Sequence, residues 1–294
     1  MKQSWKEHRA TSLTVVGCVY IFAAVAGAAA FLWAPPWPDL ARLALADLVG
    51  TLVVWLAGVL LGNASVYDPY WSVAPAVMLG LYLHWRQGWC APTELIFLVI
   101  LFWSVRLTCN WAAGFSSLQR QDWRYDLLKA RFPRAWHAVN LLGVHLMPTA
   151  VVFLAMTPAF LFAGRNGGFN AGVLGAVVVC VGATLLEYYA DRQMRAFRAQ
   201  PENEGRILRG GLWKRSRHPN YLGEILFWWG IWLFLLSIDP GMWYTGLGAL
   251  VNTLLFLFVS IPLMERRQRQ RRPDYDAYRG EAGMLFPRLR GPKK

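Results

Sequence analysis

Charge is scarce in this chain. Asp, Glu, Lys and Arg supply 16% of its 294 residues, where a soluble domain of this size carries about a quarter. The shortage excludes an ordinary soluble domain, and an aromatic content of 15% excludes disorder. Cysteine is sparse too. Cys18, Cys90, Cys109 and Cys180 lie in or beside apolar runs without CxxC spacing, so neither a zinc site nor a disulfide framework is indicated. No GxGxxG follows a strand pattern and no P-loop occurs, so any nucleotide here is not held by a Rossmann or Walker site. HExxH and His-rich runs are missing, so no metal is expected, and His8, His84, His137 and His145 read as structural or surface residues. With no internal repeat and no low-complexity linker, residues 1–294 read as a single membrane domain.

What the chain has instead is long apolar runs, 56% hydrophobic overall. A bilayer crossing needs about 20 mostly apolar residues. Eight candidates meet or approach that length: 13–33, 42–62, 70–85, 93–113, 139–163, 170–190, 221–238 and 243–264. The third is short, with Pro69 and Pro75 near its start, and reads as a broken or tilted helix. The first is too long for a removable signal peptide. The expected fold is therefore all-α, a polytopic bundle of seven to eight transmembrane helices.

The formal charge of +13 is arranged by side. With the N-terminus inside, segments 1–12, 63–69, 114–138, 191–220 and 265–294 hold 26 of the 30 Lys and Arg residues. Arg42, Arg86 and Arg165 fall on the opposite side and Arg106 inside a span. That bias predicts cytoplasmic N- and C-termini in a cell inner (cytoplasmic) membrane. No polar basic domain interrupts the spans, so nucleic acid is excluded as a partner. The bilayer itself and a small lipophilic molecule are the expected partners, with the protein a monomer.

Ionisable groups within spans are costly and so mark candidate sites. Asp47 lies in the second apolar run, Asp68 at the start of the third, Arg106 in the fourth, Glu187 at the end of the sixth and Glu224 at the start of the seventh. Asp68 and Arg106 form one expected internal pair. In the C-terminal third, Glu187, Asp191, Arg195 and Arg198 share a helix face by their spacing. His218-Pro219-Asn220 reads as a helix start, since proline suits the first turn. Such an N-terminus, flanked by Lys214, Arg215 and Arg217, is an anion site in waiting. Arg206 and Arg209 precede it, and Arg266, Arg267, Arg269, Arg271 and Arg272 follow the last span. Headgroup attraction accounts for basic residues alone. It does not account for the interleaved Asp191, Asn220, Tyr221 and Glu224, and a dinucleotide phosphate fits the combined set.

The run Arg206-Ile-Leu-Arg-Gly-Gly-Leu-Trp followed by Arg217-His-Pro-Asn-Tyr-Leu-Gly-Glu224 resembles the C-terminal signature of the steroid 5α-reductase family, in particular its bacterial branch. The resemblance covers roughly residues 60–290 and is densest from 187 to 287. It implies substrate-side helices over 60–165, a cofactor-binding half over 166–294, and N-terminal helices over 1–60 less typical of the family. It further implies NADPH as cofactor, with contacts from Asp191, Arg198, Arg206, His218, Asn220, Tyr221, Glu224 and Trp228, from Arg267 and Arg271, and from Arg124 in the Asp122-Trp-Arg-Tyr125 loop. For catalysis it points to Asp68 ahead of Pro75. Trp103 stands where the family has a tyrosine, and Tyr67 or Tyr70 supplies the missing hydroxyl.

The implied reaction is reduction of a carbon–carbon double bond conjugated to a ketone, most simply a 3-oxo-Δ4 steroid going to its 5α-reduced product. Hydride reaches the β carbon while an acid polarises the ketone. Burial would raise the Asp68 pKa toward that task, and Arg106 nearby would oppose it. The rival reading is an isoprenylcysteine-type methyltransferase using S-adenosylmethionine, a group that shares Arg-His-Pro. Here Glu265 precedes Arg266-Arg267, which suits a phosphate better than a sulfonium.

Overall fold

The computed structural model describes residues 5–165 and 168–288. Of the basic residues counted above, Lys2, Arg290, Lys293 and Lys294 lie outside that range. Apart from one isolated bridge between Ser216 and Gly283, the regular structure among the described residues is helical. The helices are α1 (Arg9–Trp33), α2 (Asp39–Leu61), α3 (Tyr70–Arg86), α4 (Ala91–Gly114), α5 (Trp123–Arg131), α6 (Trp136–Ala163), α7 (Ala171–Arg198), α8 (Pro219–Ile238), α9 (Pro240–Arg271) and α10 (Tyr275–Glu281). Seven of them, α1, α2, α4, α6, α7, α8 and α9, are long and apolar enough to cross a membrane. This is a multi-pass membrane protein, and its all-α class is the one the apolar runs predict.

The short third run is α3, with 17 residues. Its start follows the loop after Leu61, and in its last turns Tyr82 and Arg86 donate to Asp39 at 3.0 and 2.6 Å, at the first residue of α2. The basic residues of this region sort to opposite ends. Lys6 donates to the Leu61 carbonyl and Arg9 to the Ala112 carbonyl, each at 2.8 Å, capping the ends of α2 and α4. Arg42 sits at the far end and donates to the Phe31 carbonyl at the close of α1.

The chain forms two compact units, Met1–Gly167 and Gly168–Lys294. In the first, α1 and α2 approach closely because small side chains line their contact. A Cβ on Gly27 would stand 2.9 Å from the Ala46 carbonyl oxygen. Close approach at small residues is how membrane helices gain packing when lipid is as apolar as leucine. In the second unit the same device joins α7 and α8. A Cβ on Gly223 would meet the Ala183 carbonyl oxygen at 2.7 Å, and one on Gly230 the Cys180 nitrogen at 3.3 Å.

Two helices widen locally. Asn140–Leu146 in α6 and Phe256–Ser260 in α9 are π turns, and each is followed within two residues by a proline, Pro148 and Pro262. Proline lacks an N–H and crowds the carbonyl four residues back, and a wider turn relieves both.

Candidate functional site

Unit 2 carries the polar set expected from the C-terminal signature. Proline at the first position starts α8, and His218 occupies the N-cap without a side-chain capping bond. The preceding loop folds onto α7. Trp213 Nε1 donates to the Ala190 carbonyl at 3.0 Å, and the Leu212 N–H donates to Gln193 Oε1 at 3.0 Å. Gly211, at φ 55°, adopts the left-handed conformation that this turn needs. Asn220 thereby faces α7, and its amide donates to Asp191 Oδ1 at 3.2 Å. One turn on, buried Glu224 accepts from Trp228 Nε1 at 2.7 Å. Along α7 the expected face runs from buried Glu187 through half-buried Asp191 to exposed Arg195 and Arg198.

The arginines divide into two groups. Arg217 is buried and committed: its Nε donates to Glu265 Oε1 at 2.8 Å and its Nη1 to the Ala282 carbonyl at 2.7 Å. Glu265 also takes Arg279 at 3.1 Å and His218 Nε2 at 3.3 Å. Burial pushes His218 below its usual pKa, only partly offset by Glu265, and its ring stacks on Tyr221 at 5.2 Å. Arg217 is therefore no phosphate ligand, contrary to the expectation that it flanks an open anion site. With His218 and Glu265 it clamps the C-terminal segment, where Tyr278 Oη donates to the Trp213 carbonyl at 2.5 Å. Arg198, Arg206 and Arg271 are exposed, and Arg267 is half-buried. Arg272 is held below its usual pKa by burial first and then by Arg198, with Asp274 and Tyr275 opposing and Arg271 adding a smaller effect. Asp191, Asn220 and Glu224 thus set hydrogen-bond donors and acceptors on packed helices, and basic side chains gather where α7 and α9 end.

Unit 1 places the catalytic candidates differently. Asp68 is half-buried at the end of the turn that follows α2 and meets Tyr125, whose hydroxyl donates to its Oδ1 at 2.5 Å. Arg106, buried on α4, is not its partner; the cation acting on Asp68 is Arg124, itself paired with Asp122 at 2.8 Å. The reason is local. Asp122 caps α5, its neighbours are pinned to the α2–α3 loop by Asn63 bonds to the Leu118 and Arg120 carbonyls, and Tyr125 is thus swung over Asp68. The Asp122–Tyr125 loop, expected at a cofactor mouth, is seen bracing Asp68. Burial raises the Asp68 carboxyl from 3.8 to about 6, against the lowering effect of Tyr125 and Arg124. Trp103 is fully buried edge-on to Trp71, with ring centroids 5.9 Å apart.

The cavity of this unit lies between α1, α2 and α3. Its volume is about 410 Å³, and its walls are apolar apart from Asp47, Tyr20, Tyr70, Tyr82 and His84. Tyr70 was expected at the site; Asp68, Tyr67 and Trp103 do not line the cavity. Asp47 does, at 7% exposure, and no hydrogen bond or ion pair joins its carboxyl to another described residue. Tyr70 and Asp47 also bound a smaller pocket with Thr149 and Phe153 of α6. The sequence did signal Asp47, as an acid in an apolar run, but the family-like motif drew the role to Asp68. Among the described residues no cluster of His, Cys, Asp and Glu suits a metal ion.

A family model described as a protein of unknown function (DUF1295) matches residues 54–282, from within α2 to just past α10. The chain belongs to that family. It is also similar to an uncharacterized protein of Schizosaccharomyces pombe, 25% identical over 279 residues that cover 86% of this chain and 81% of that protein. No solved structure matches.

Proposed function

We propose that this protein is a cytoplasmic-membrane reductase that uses NADPH to saturate the double bond of an enone lipid, with a 3-oxo-Δ4 steroid as the model substrate. The observation that carries the reading is the apolar cavity of about 410 Å³ with one carboxyl, Asp47, and the Tyr70 phenol on its wall. That size lies in the range of small-molecule sites, whose few polar groups fix orientation. A flat lipid with a single ketone matches such a lining.

Asp191, Asn220 and Glu224 would hold the amide end of NADPH, and Arg198, Arg206, Arg267 and Arg271 its phosphates. The cofactor, when bound, supplies the hydride. This chain's residues do the rest. With hydride supplied to the β carbon, negative charge would develop on the ketone oxygen, and hydrogen-bond donors on the cavity wall would stabilise it. The Tyr70 hydroxyl and the protonated Asp47 carboxyl would be those donors, and a proton taken up at the α carbon would complete the saturated ketone. The acid role thus moves from Asp68 to Asp47, because only the latter faces the cavity.

The test is NADPH oxidation by purified protein with a panel of enone lipids, alongside melting curves with NADPH or S-adenosylmethionine. A ligand that binds the folded state raises the melting point. Stabilisation by NADPH and enone-dependent oxidation support the reading. Stabilisation by S-adenosylmethionine alone overturns it in favour of the methyltransferase.

A further inference from the structure

The cavity between α1, α2 and α3 is a slot with two aromatic ends. On α1 its wall is made of small residues, Ala23, Ala24, Gly27 and Ala28, which share one helix face by their spacing. At each end an aromatic pair joins α1 to α3. Tyr20 meets Tyr70 edge-on with ring centroids 5.5 Å apart, and Phe31 meets Trp85 edge-on at 4.9 Å. All four rings line the cavity.

The register of α1 on α2 gives the slot a length. Cβ atoms on Gly50 and Gly27 would stand 3.4 Å from the Ala23 carbonyl oxygen and 2.9 Å from that of Ala46, and Arg42 reaches the Phe31 carbonyl. Four residues forward on α1 thus match four residues back on α2. The Tyr70 hydroxyl marks the near end, since a Cβ on Gly50 would collide with it. At 1.5 Å per residue the level of Arg42 lies about 12 Å beyond Gly50 along the helix axis, and about 7.5 Å beyond Asp47.

The far end is braced. The Arg42 guanidinium lies 4.3 Å from the Phe31 ring centroid and 4.9 Å from that of Trp85, while its Nε and Nη2 donate to the Phe31 carbonyl at 3.0 and 2.9 Å. A cation over an aromatic face is held by the ring quadrupole, so swinging either ring aside breaks that contact. Tyr82 adds a third ring, 6.4 Å from Phe31, with its hydroxyl fixed on Asp39. Trp85 is 42% exposed, so it closes the slot from outside and is no part of the packed interior.

We propose that Phe31 and Trp85, with Arg42 as their positioning residue, form a wall that limits ligand length. The cavity then takes a compact fused-ring ketone and discriminates against the same nucleus carrying a long alkyl tail at the end opposite the ketone. The inference rests on the reading of the cavity as an enone-lipid site, with the ketone at Asp47 and Tyr70, and deepens it.

The experiment reconstitutes the full chain in phosphatidylcholine nanodiscs and displaces radiolabelled androst-4-en-3-one with unlabelled androst-4-en-3-one or cholest-4-en-3-one. The two competitors share ketone and rings and differ in the alkyl tail. Concentrations are expressed per bilayer lipid, so membrane partition cancels. The wild-type protein is expected to prefer the tail-free compound by about tenfold or more, the penalty of overfilling a packed site. Trp85→Ala is expected to lower that ratio below about threefold, and Arg42→Met to shift it the same way. The ratio compares ligands with one shared nucleus, so a general loss of stability leaves it unmoved. A wild-type ratio near one, or a ratio unchanged in Trp85→Ala or in Arg42→Met, overturns the proposal. Failure of the wild-type protein to bind either compound overturns the lipid-site reading and this inference with it. Length-selective binding that Trp85→Ala abolishes, with no NADPH oxidation, supports the inference and refutes only the reductase.

Discussion

Two aspartates compete for the acid role, and the structure gives them opposite signatures. Replacing Asp47 with Asn keeps volume and polarity but exchanges the carboxyl O–H for an amide N–H, a far weaker acid. The Asp47 carboxyl makes no hydrogen bond or ion pair with another described residue, so the exchange orphans nothing. Stability should change by less than about 1 kcal/mol. Turnover should suffer, because the weaker acid donates a weaker hydrogen bond to developing charge, with the whole bond, about 1.5–3 kcal/mol, as the upper bound. That energy corresponds to a rate about 10 to 150 times lower, with Tyr70 supplying what remains. Asp68→Ala should behave the other way. It strips the partner from a Tyr125 hydroxyl held at 2.5 Å, which costs about 1–3 kcal/mol of stability, and it leaves the cavity wall intact. The assay is paired: steady-state NADPH oxidation with an enone, and thermal melts of the same preparations. Full turnover in Asp47→Asn, or a catalytic collapse in Asp68→Ala without loss of stability, would refute the assignment.

Two further outcomes follow from charged groups outside the cavity. Asp68 has a folded-state pKa of about 6 against 3.8 for the free side chain. Between those values the folded state binds the extra proton, so stability falls as pH rises from about 4 to 6 and is level above, by on the order of 2–3 kcal/mol. Melts across that window should show the slope in the wild-type protein and lose it in Asp68→Asn; an identical slope in both excludes Asp68 as its source. Glu265→Gln removes the carboxylate shared by Arg217, Arg279 and His218. Breaking a buried pair on one side costs about 3 kcal/mol or more, so a melting point within a degree of wild type would show that the clamp contributes little.

Much of this arrangement can be read without coordinates. Apolar run length finds the spanning helices, because a bilayer sets a length that composition must meet. Pro219 marks the start of α8, and the Asp191–Asn220 bond is foreshadowed by polar residues that headgroup attraction leaves unexplained. The acid is harder to place. Asp47 and Asp68 are both acids beside apolar sequence, and what separates them is a tertiary event, the docking of residues 115–125 on the α2–α3 loop, which brings Tyr125 onto Asp68. No local pattern encodes that contact. Thr149 is harder still: a threonine in an apolar helix has no signal of its own, and its partners Thr51 and Tyr67 lie 98 and 82 residues away.

The division of labour among the arginines bears on how the signature itself should be read. Arg217-His218-Pro219 is the part of the motif shared by reductases and methyltransferases, and here its first two residues are spent on Glu265 and on the carbonyl of Ala282. A clamp of that kind tethers the segment after the last span to the start of α8 whatever ligand lies nearby. Its presence therefore carries little information about chemistry. The discriminating residues are those the clamp leaves over: Asn220 turned to Asp191, Glu224 bound to Trp228, and the basic side chains of Arg198, Arg271 and Arg272. Neighbouring cations repel one another, at a cost that a polyanion offsets and a sulfonium, itself a cation, increases. On the proposed reading, the basic groups of unit 2 suit a phosphorylated cofactor better than the cationic S-adenosylmethionine.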